Sequence, residues 1–237
     1  MTRSNGTTKS SAWAALAMML MLGATIAAAQ GDNASPAAAP VAPAGPIRVV
    51  DADFSVGNAL VADLALGMGE VVVSGESVDR IYARLQISCA PGTKDATKCD
   101  RQARAVAISG VSNGDKIEVK VKGVEEAWVR RLRLRLELRV PQRLPINVHV
   151  HDGQVRVDGV GASTKVEVDK GTIDLSVVDA EVGEFVLRAG GKVTVDVRGE
   201  TMTAKGTLTG ELRWVRPGRL TKVEAKADLG DVRVVVN

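Results

Sequence analysis

Apolar and polar residues alternate along most of the chain after residue 46, which is the period-two pattern of half-buried β-strands. In the segment 131–140, four leucines and a valine alternate with four arginines and a glutamate. Pro141 would end this strand because it lacks a backbone N–H. A shorter strand, 117–121, follows the turn signal Asn113-Gly114. Lys98–Ala107 is the one plausible helical turn, so the pattern predicts an all-β protein.

Six segments share a pattern in which alternating apolar residues flank a glycine. They read LALGMGEVVV, VHVHDGQVRV, VEVDKGTIDL, VLRAGGKVTV, GTLTGELRWV and AKADLGDVRV, and their glycines are Gly69, Gly153, Gly171, Gly191, Gly210 and Gly230. The last five glycines are 18 to 20 residues apart. A near-constant period of this kind indicates a repeat architecture.

Two columns of apolar residues follow the last five glycines. Two residues after the glycines stand Val155, Ile173, Val193, Leu212 and Val232, and four residues after them stand Val157, Leu175, Val195, Trp214 and Val234. Period-two alternation points both columns to the same side. We therefore predict a single-stranded β-solenoid, a β-helix-like stack of short strands with rungs of about 19 residues and glycines at the corners.

The N-terminal segment is typical of a targeting signal. Residues 1–29 carry Arg3 and Lys9, then an apolar run, then Ala27-Ala28-Ala29 before Gln30, which predicts a secretory signal peptide. A retained membrane anchor is the alternative. The Ala/Pro-rich segment 30–46 is predicted to be an extended linker. The folded domain is then 47–237, with an irregular part, 47–144, and regular repeats, 145–237, in the periplasm or envelope of a bacterium.

The charge balance argues against a nucleic-acid partner. The chain has 31 Lys and Arg against 28 Asp and Glu, and removal of Arg3 and Lys9 with the signal would leave 29 against 28. A nearly neutral domain has no bulk attraction for nucleic acid. Aromatic residues make up 3% of the chain. Trp214 falls in an inward column and is predicted to be core, whereas Trp128 is the better candidate for an exposed contact.

Cys89 and Cys99 are the two cysteines. In an exported chain, an even pair at this spacing predicts a disulfide. The bridge would restrain the polar insertion PGTKDATK between them.

Two groups of outward-facing residues are candidates for chemistry. His149 and His151, with Asp152 beside them, form a weak candidate for a divalent metal site, and the alternative is a solvent-facing pair. We predict no cofactor. The second group is a basic stripe for an anionic lipid or polysaccharide, which Lys116, Lys120 and Lys122 would extend if the two strands pair. Its members are Arg131, Arg133, Arg135 and Arg139. The alternative is ordinary strand surface balanced by neighbouring carboxylates.

Two stretches, LALGMGEVVVSG and LRLRLELRVPQRLPINVHVHDGQVRVDGV, precede the ladder of glycine-centred repeats. This layout resembles a bacterial adhesin-like family of unknown function, similar to head-domain adhesins, over roughly residues 54–237. The resemblance implies a β-solenoid in the cell envelope and brings no catalytic residues with it. The Cys89–Cys99 insertion departs from the family pattern and would mark a cap or a contact loop.

The predicted function is an exported cell-envelope binding or structural module, not an enzyme, because no nucleophile motif such as Gly-x-Ser-x-Gly is present. One alternative is a periplasmic scaffold or carrier for an anionic glycolipid or polysaccharide. Another is a β-helix carbohydrate-active enzyme, which would need an acidic cleft with aromatics. The expected partner is an envelope or surface component of unknown identity. The last strand, Asp231–Asn237, is also predicted to be an open edge for self-association.

Overall fold

The structure is a computed structural model that describes residues 45–178, 182–197, 199–205 and 210–237, all within one compact unit, Pro43–Asn237. The predicted signal peptide (1–29) and residues 30–44 of the predicted linker lie outside the described residues. The strands are β1 Arg48–Ser55, β2 Val61–Glu76, β3 Arg80–Cys89, β4 Ala107–Asn113, β5 Lys116–Lys122, β6 Leu132–Pro141, β7 Ile146–Asp158, β8 Thr164–Val177, β9 Val182–Ala189, β10 Lys192–Val197, β11 Glu200–Lys205, β12 Gly210–Val215 and β13 Thr221–Val236; the helices are α1 Ala96–Ala105 and a 3-10 turn, Glu126–Trp128.

Four long strands, β2, β7, β8 and β13, lie parallel at the centre of one large mixed sheet. Each contains a glycine, and the register stacks the four glycines in the order Gly69, Gly153, Gly171 and Gly230. The alternation of buried residues shifts by one at the glycine, as in β7, where Val148 and Val150 are followed by Val155 and Val157. We call the part of each strand before its glycine the first arm and the part after it the second arm. Both arms therefore bury side chains in a single hydrophobic cluster.

The stacked glycines leave no room for a side chain. Gly171 has φ +134°, and a Cβ there would overlap the carbonyl oxygen of Gly153. A Cβ on Gly230 would overlap the carbonyl oxygen of Gly171 in the same way. This corner therefore requires glycine for both its backbone conformation and its close packing.

At each end of the stack, the first arm and the second arm of the outermost long strand pair with different strands. Beside β2, the first arm pairs with β5 and then β4, and the second arm pairs with β6, β3 and β1. We call β1, β3–β6 and α1 the capped end. Beside β13, the first arm pairs with β9 and then β12, and the second arm pairs with β10 and then β11. We call β9–β12 the far end.

The all-β prediction is confirmed, but the rungs do not stack in chain order. β13 lies between β8 on one side and β9 and β10 on the other. The predicted open edge at Asp231–Asn237 is therefore wrong, because Val232–Val236 pairs on both sides. The repeat at Gly210 also departs from the prediction, because β12, which begins at Gly210, runs antiparallel to β9. The repeat pattern predicts which residues stack. It does not predict the spatial order of the rungs, because the five repeats have nearly the same pattern.

A helix closes the core at the capped end. The predicted helical turn Lys98–Ala107 is confirmed as α1, which begins two residues earlier. The Cys89–Cys99 disulfide joins it to β3, and Cys99 and Ala103 are fully buried. Asp95 caps the helix by accepting a hydrogen bond from the Lys98 backbone N–H, and this bond lowers the pKa of the Asp95 carboxyl.

The two tryptophans of the described region differ from their predicted burial to different degrees. Trp128 is 7% exposed and belongs to the core cluster, so the prediction of an exposed contact is wrong. Trp214 is half-buried and packs at the core boundary, with its ring 5.5 Å from that of Phe185. Trp128 is the last residue of the 3-10 turn that precedes β6.

Candidate functional site

The sheet forms a groove where β6 extends past the corner of β2. Pairing between β2 and β6 begins at Glu70 and Arg135, whereas β3 pairs with β6 back to Leu132. Residues 132–134 therefore pair with β3 alone and overhang the glycine corner. The Leu134 carbonyl lies where a side chain at Gly69 would stand.

The resulting corner groove has a volume of about 990 Å³. Its lining combines apolar side chains, polar and charged side chains, and the glycines of two corners. The lining residues are Pro46, Met68, Gly69, Glu70, Gln86, Ser88, Ala90, Arg130, Leu132, Arg133, Leu134, Arg135, Asp152, Gly153 and Gln154. An open groove with few convergent polar groups fits an extended ligand better than an enclosed small molecule.

A smaller depression of about 360 Å³, the loop pocket, adjoins the corner groove. The disulfide loop from Ala90 to Asp95 forms one wall, and Trp128 with Arg130 and Arg131 forms the other. The two depressions share Ala90 and Arg130. The sequence prediction that the cysteine insertion marks a cap or contact loop is thus compatible with both roles, because α1 caps the core and the preceding loop borders a depression.

The four arginines of the predicted stripe are all exposed, but they differ in their contacts. Arg135 is bound by Glu70 at 3.0 Å and by Glu137 at 2.9 Å. Arg139 lies 3.8 Å from Glu76 and over the ring of Tyr82. These two arginines are thus partly neutralised by carboxylates.

The remaining two arginines of the stripe lie toward the groove and the pocket. Arg131 lies over the Trp128 ring, 5.3 Å from its centroid. The side chain of Arg133 has no hydrogen-bond or ion-pair partner among the described residues, and neither has that of Arg130, which precedes the predicted stripe. Free guanidinium groups with unused donors are the ones that can bind an incoming anion.

The expected extension of the stripe by Lys116, Lys120 and Lys122 is wrong. These lysines are on β5, which pairs with the first arm of β2, whereas β6 pairs with the second arm. Lys116 and Lys120 also form ion pairs, with Asp63 and Glu118. The basic surface is therefore confined to the start of β6 and the residues just before it.

The two histidines pair with carboxylates on the adjacent strand. His151 Nδ1 lies 2.6 Å from Asp169 Oδ2, and His149 Nδ1 lies 4.0 Å from Glu167 Oε2. The hydrogen bond from His151 lowers the pKa of the Asp169 carboxyl, with a smaller contribution from the charge of His149. Asp152 lies across from Lys170 and lines the corner groove.

No group of three or more His, Cys, Asp or Glu side chains suited to a metal occurs in the part of the chain that the structure describes. His149, His151 and Asp152 are not brought together as a ligand set, because the carboxylates nearest the rings come from β8. Within the same described part, no helix is long and apolar enough to cross a bilayer.

Several groove residues could not be found from the sequence. Gln86, Ser88 and Gln154 look like ordinary outward positions of strands. They become groove residues because β3 pairs with β6 antiparallel, placing Ser88 opposite Arg133. The local sequence signals of this site are the alternating arginines of the stripe and the cysteine insertion.

Comparison with solved structures finds weak similarity to bacterial proteins described as adhesins. No family model matches the chain, and no curated protein matches it. A crystal structure of a putative cell adhesion protein from Clostridium sporogenes is 11% identical, covering 80% of this chain and 99% of that one, with a TM-score of 0.48. A putative adhesin from Bacteroides fragilis is 8% identical, covering 79% and 97%, with a TM-score of 0.29.

Both neighbours bear the name of the class that the sequence resemblance indicated. With TM-scores under 0.5 and identities near 10%, neither superposition carries an argument about what this chain binds. The function has to be argued from the surface itself.

Proposed function

We propose that this protein is an adhesin-like binding module exported to the cell envelope or surface, and that the corner groove and loop pocket together form its contact surface. The observation that carries the proposal is the groove of about 990 Å³ beside the unpaired Arg130 and Arg133. The central strands serve as a solenoid-like scaffold that holds this surface. We also propose that the module has no catalytic activity.

The contrast between the core and the groove supports a binding role. The stacked arms are filled with aliphatic side chains, so the described core offers no lipid-sized apolar channel of the kind a carrier needs. The groove and pocket carry a basic excess: Arg130, Arg131, Arg133, Arg135 and Lys94 stand against Glu70, Asp152 and Asp95. A glycosidase-like cleft would instead group carboxylates near the ligand.

A second candidate function, recognition of an anionic polysaccharide or glycolipid, is favoured by the charge of the same surface. Arginine binds carboxylate and phosphate groups through paired N–H donors. Gln86, Ser88 and Gln154 would add neutral hydrogen-bonding groups for hydroxyls. The extended shape of the groove suits several sugar units of a chain.

A binding experiment with the full chain would test both candidates. Biolayer interferometry would compare immobilised envelope extract, lipopolysaccharide, polygalacturonate and neutral dextran. We expect retention by the envelope extract and by the acidic ligands, with weakening at high salt because exposed charges are screened. In the double variant R130A/R133A, we expect binding to fall by at least about tenfold, the loss of one charge-assisted contact.

The matched control is R156A/R233A, which removes two exposed arginines from the second arms of β7 and β13, away from the groove. Equal loss in both double variants would refute the groove as the contact surface. Binding to envelope extract without binding to any acidic polysaccharide would support the first candidate and refute the second. No retention by any of these ligands would refute both.

A further inference from the structure

The sheet has four edge strands in the described part of the chain: β1, β4, β11 and β12. Edge strands expose unpaired backbone N–H and C=O groups, and natural proteins protect them with charged side chains, proline or bulges. Three of the four follow this rule. β1 carries Asp51 and Asp53, β11 carries Glu200, and β12 carries Glu211 and Arg213.

The strand β4 lacks this protection. Its sequence, AISGVSN, has no charged residue and no proline, and it pairs with β5 alone. Val111 on this strand is 50% exposed. The inner face is already covered, because the Phe54 ring lies where a side chain at Gly110 would stand. On the side away from β5, β4 pairs with no strand in the described part of the chain.

The sequence of β4 is suited to pair with itself. In an antiparallel pair centred on Gly110, Ser109 faces Val111 of the second copy and Ile108 faces Ser112. No like charges meet in this register, whereas the same arrangement on β1 would bring the carboxylates Asp51 and Asp53 of the two copies together.

The lysines nearest to this edge do not oppose such a pair. Lys116, Lys120 and Lys122 are on β5, one strand behind β4. In the paired sheet, the β5 strands of two copies would be three strand spacings apart, about 14 Å. That separation exceeds the Debye length of about 8 Å at physiological salt, so their repulsion is largely screened.

We propose that two copies of this protein associate through antiparallel pairing of β4, which joins their first-arm sheets into one continuous sheet. A single seven-residue strand pair is a small interface, so the dimer is weak, with a dissociation constant on the order of 10–100 µM. The corner grooves of the two copies would then belong to one particle. The association does not depend on what the groove binds.

Sedimentation equilibrium of the full chain tests the proposal. We expect a reversible monomer–dimer equilibrium in the wild type and at least about tenfold weaker association in V111K, because the new charge would face the partner edge. In the monomer, Val111 pairs with Glu118. The variant V111K should therefore keep its fold, because the new ammonium group has a carboxylate opposite it. The matched control is V215K on the β12 edge, where Val215 is 57% exposed, and it should dimerise like the wild type.

The register has its own test, which does not depend on V111K folding. Mixing S109C and V111C proteins under mild oxidation should give a disulfide-linked dimer in higher yield than either protein alone, because these two positions face each other across the pair. A strict monomer at concentrations up to about 1 mM, or equal weakening by V111K and V215K, would overturn the proposal. Equal cross-linking in all three samples would overturn the register.

Discussion

The capped end and the far end of the stack close the same core by different means. At the capped end, α1 covers the core and is held by the Cys89–Cys99 disulfide. Arg48 adds to this closure by donating hydrogen bonds to the last carbonyls of the helix, those of Ala103 and Arg104. In the described part of the far end, strands alone close the core, with Phe185 against the half-buried Trp214.

The difference shows where a regular scaffold can acquire specificity. The central strands are constrained by their glycine stack and the two apolar columns, so they tolerate little change. The capped end interrupts that regularity with the overhang of β6 and the disulfide loop, and both depressions of the candidate site lie there. The closure of this end and much of the proposed contact surface thus use neighbouring parts of the chain.

Gly171→Ala should have the largest effect, because it breaks the stack on which both ends depend. The added Cβ would overlap the backbone of Gly153 on the adjacent strand. We expect a loss of at least about 4 kcal/mol in the free energy of unfolding, or failure to fold. Urea titration followed by circular dichroism measures it. Gly67→Ala, which meets nothing within 4 Å, is the control and should cost no more than about 0.5 kcal/mol.

Reduction of the Cys89–Cys99 bridge should weaken the capped end selectively. Closing this short loop is worth about 2–3 kcal/mol through the restricted unfolded chain. Urea titration with and without reductant gives the total, and hydrogen exchange gives its location. We expect amides of α1 to exchange faster while those of β9 and β10 keep their rates. Uniform acceleration across both ends would show that the ends are not independently closed.

Trp214→Ala should weaken the far end by a smaller amount. Full burial of such a ring would make its loss cost about 3–5 kcal/mol, and half-burial reduces the expected loss to about 1–2 kcal/mol. The same unfolding titration measures it, with fluorescence of the remaining core Trp128 as the signal. If Trp214→Ala lowered the free energy of unfolding by more than bridge reduction does, the expectation that the disulfide contributes more to stability than Trp214 would be contradicted.

The pairing of His151 with Asp169 lies between the two ends and should have the smallest effect. The pKa of Asp169 is lowered from its ordinary value of 3.8, so its contribution to stability is present above that value and is lost as the pH falls through the folded pKa. NMR titration of the Asp169 carboxyl should give a midpoint below 3.8, and His151→Gln should raise it. An unchanged midpoint in the variant would assign the shift to another group.

Local patterns predicted the all-β class, the disulfide and the position of α1, because each depends on residues close in the chain. The columns of Val155 and Val157 are buried as expected, since period two is a backbone property. The place of β13 was not predictable in this way. Its column residues Val232 and Val234 are equivalent to Val193 and Val195 of another rung, and alternation carries no record of spatial order.

The candidate site was predicted in part. The arginines of the stripe were visible, but their separation into carboxylate-bound Arg135 and unpaired Arg133 depends on long-range pairing with β2. The burial of Trp128 likewise depends on the 3-10 turn that precedes β6. Neither the pairing of β6 with β2 nor the turn before β6 is described by a repeat pattern.

The position of β13 also has a consequence for how the chain folds. One side of β8 is paired entirely by Thr221–Val236, although residues 178–220 intervene. Rungs therefore cannot be added one after another in the order of synthesis, because β8, β9 and β10 all pair with β13, and neither the centre nor the far end is complete until β13 has paired. Such long-range pairing slows folding and leaves the valine-rich side of β8 exposed in the meantime. For a chain exported as we propose, this delay would keep the protein unfolded during translocation and make its last strand the step that commits it to the native state.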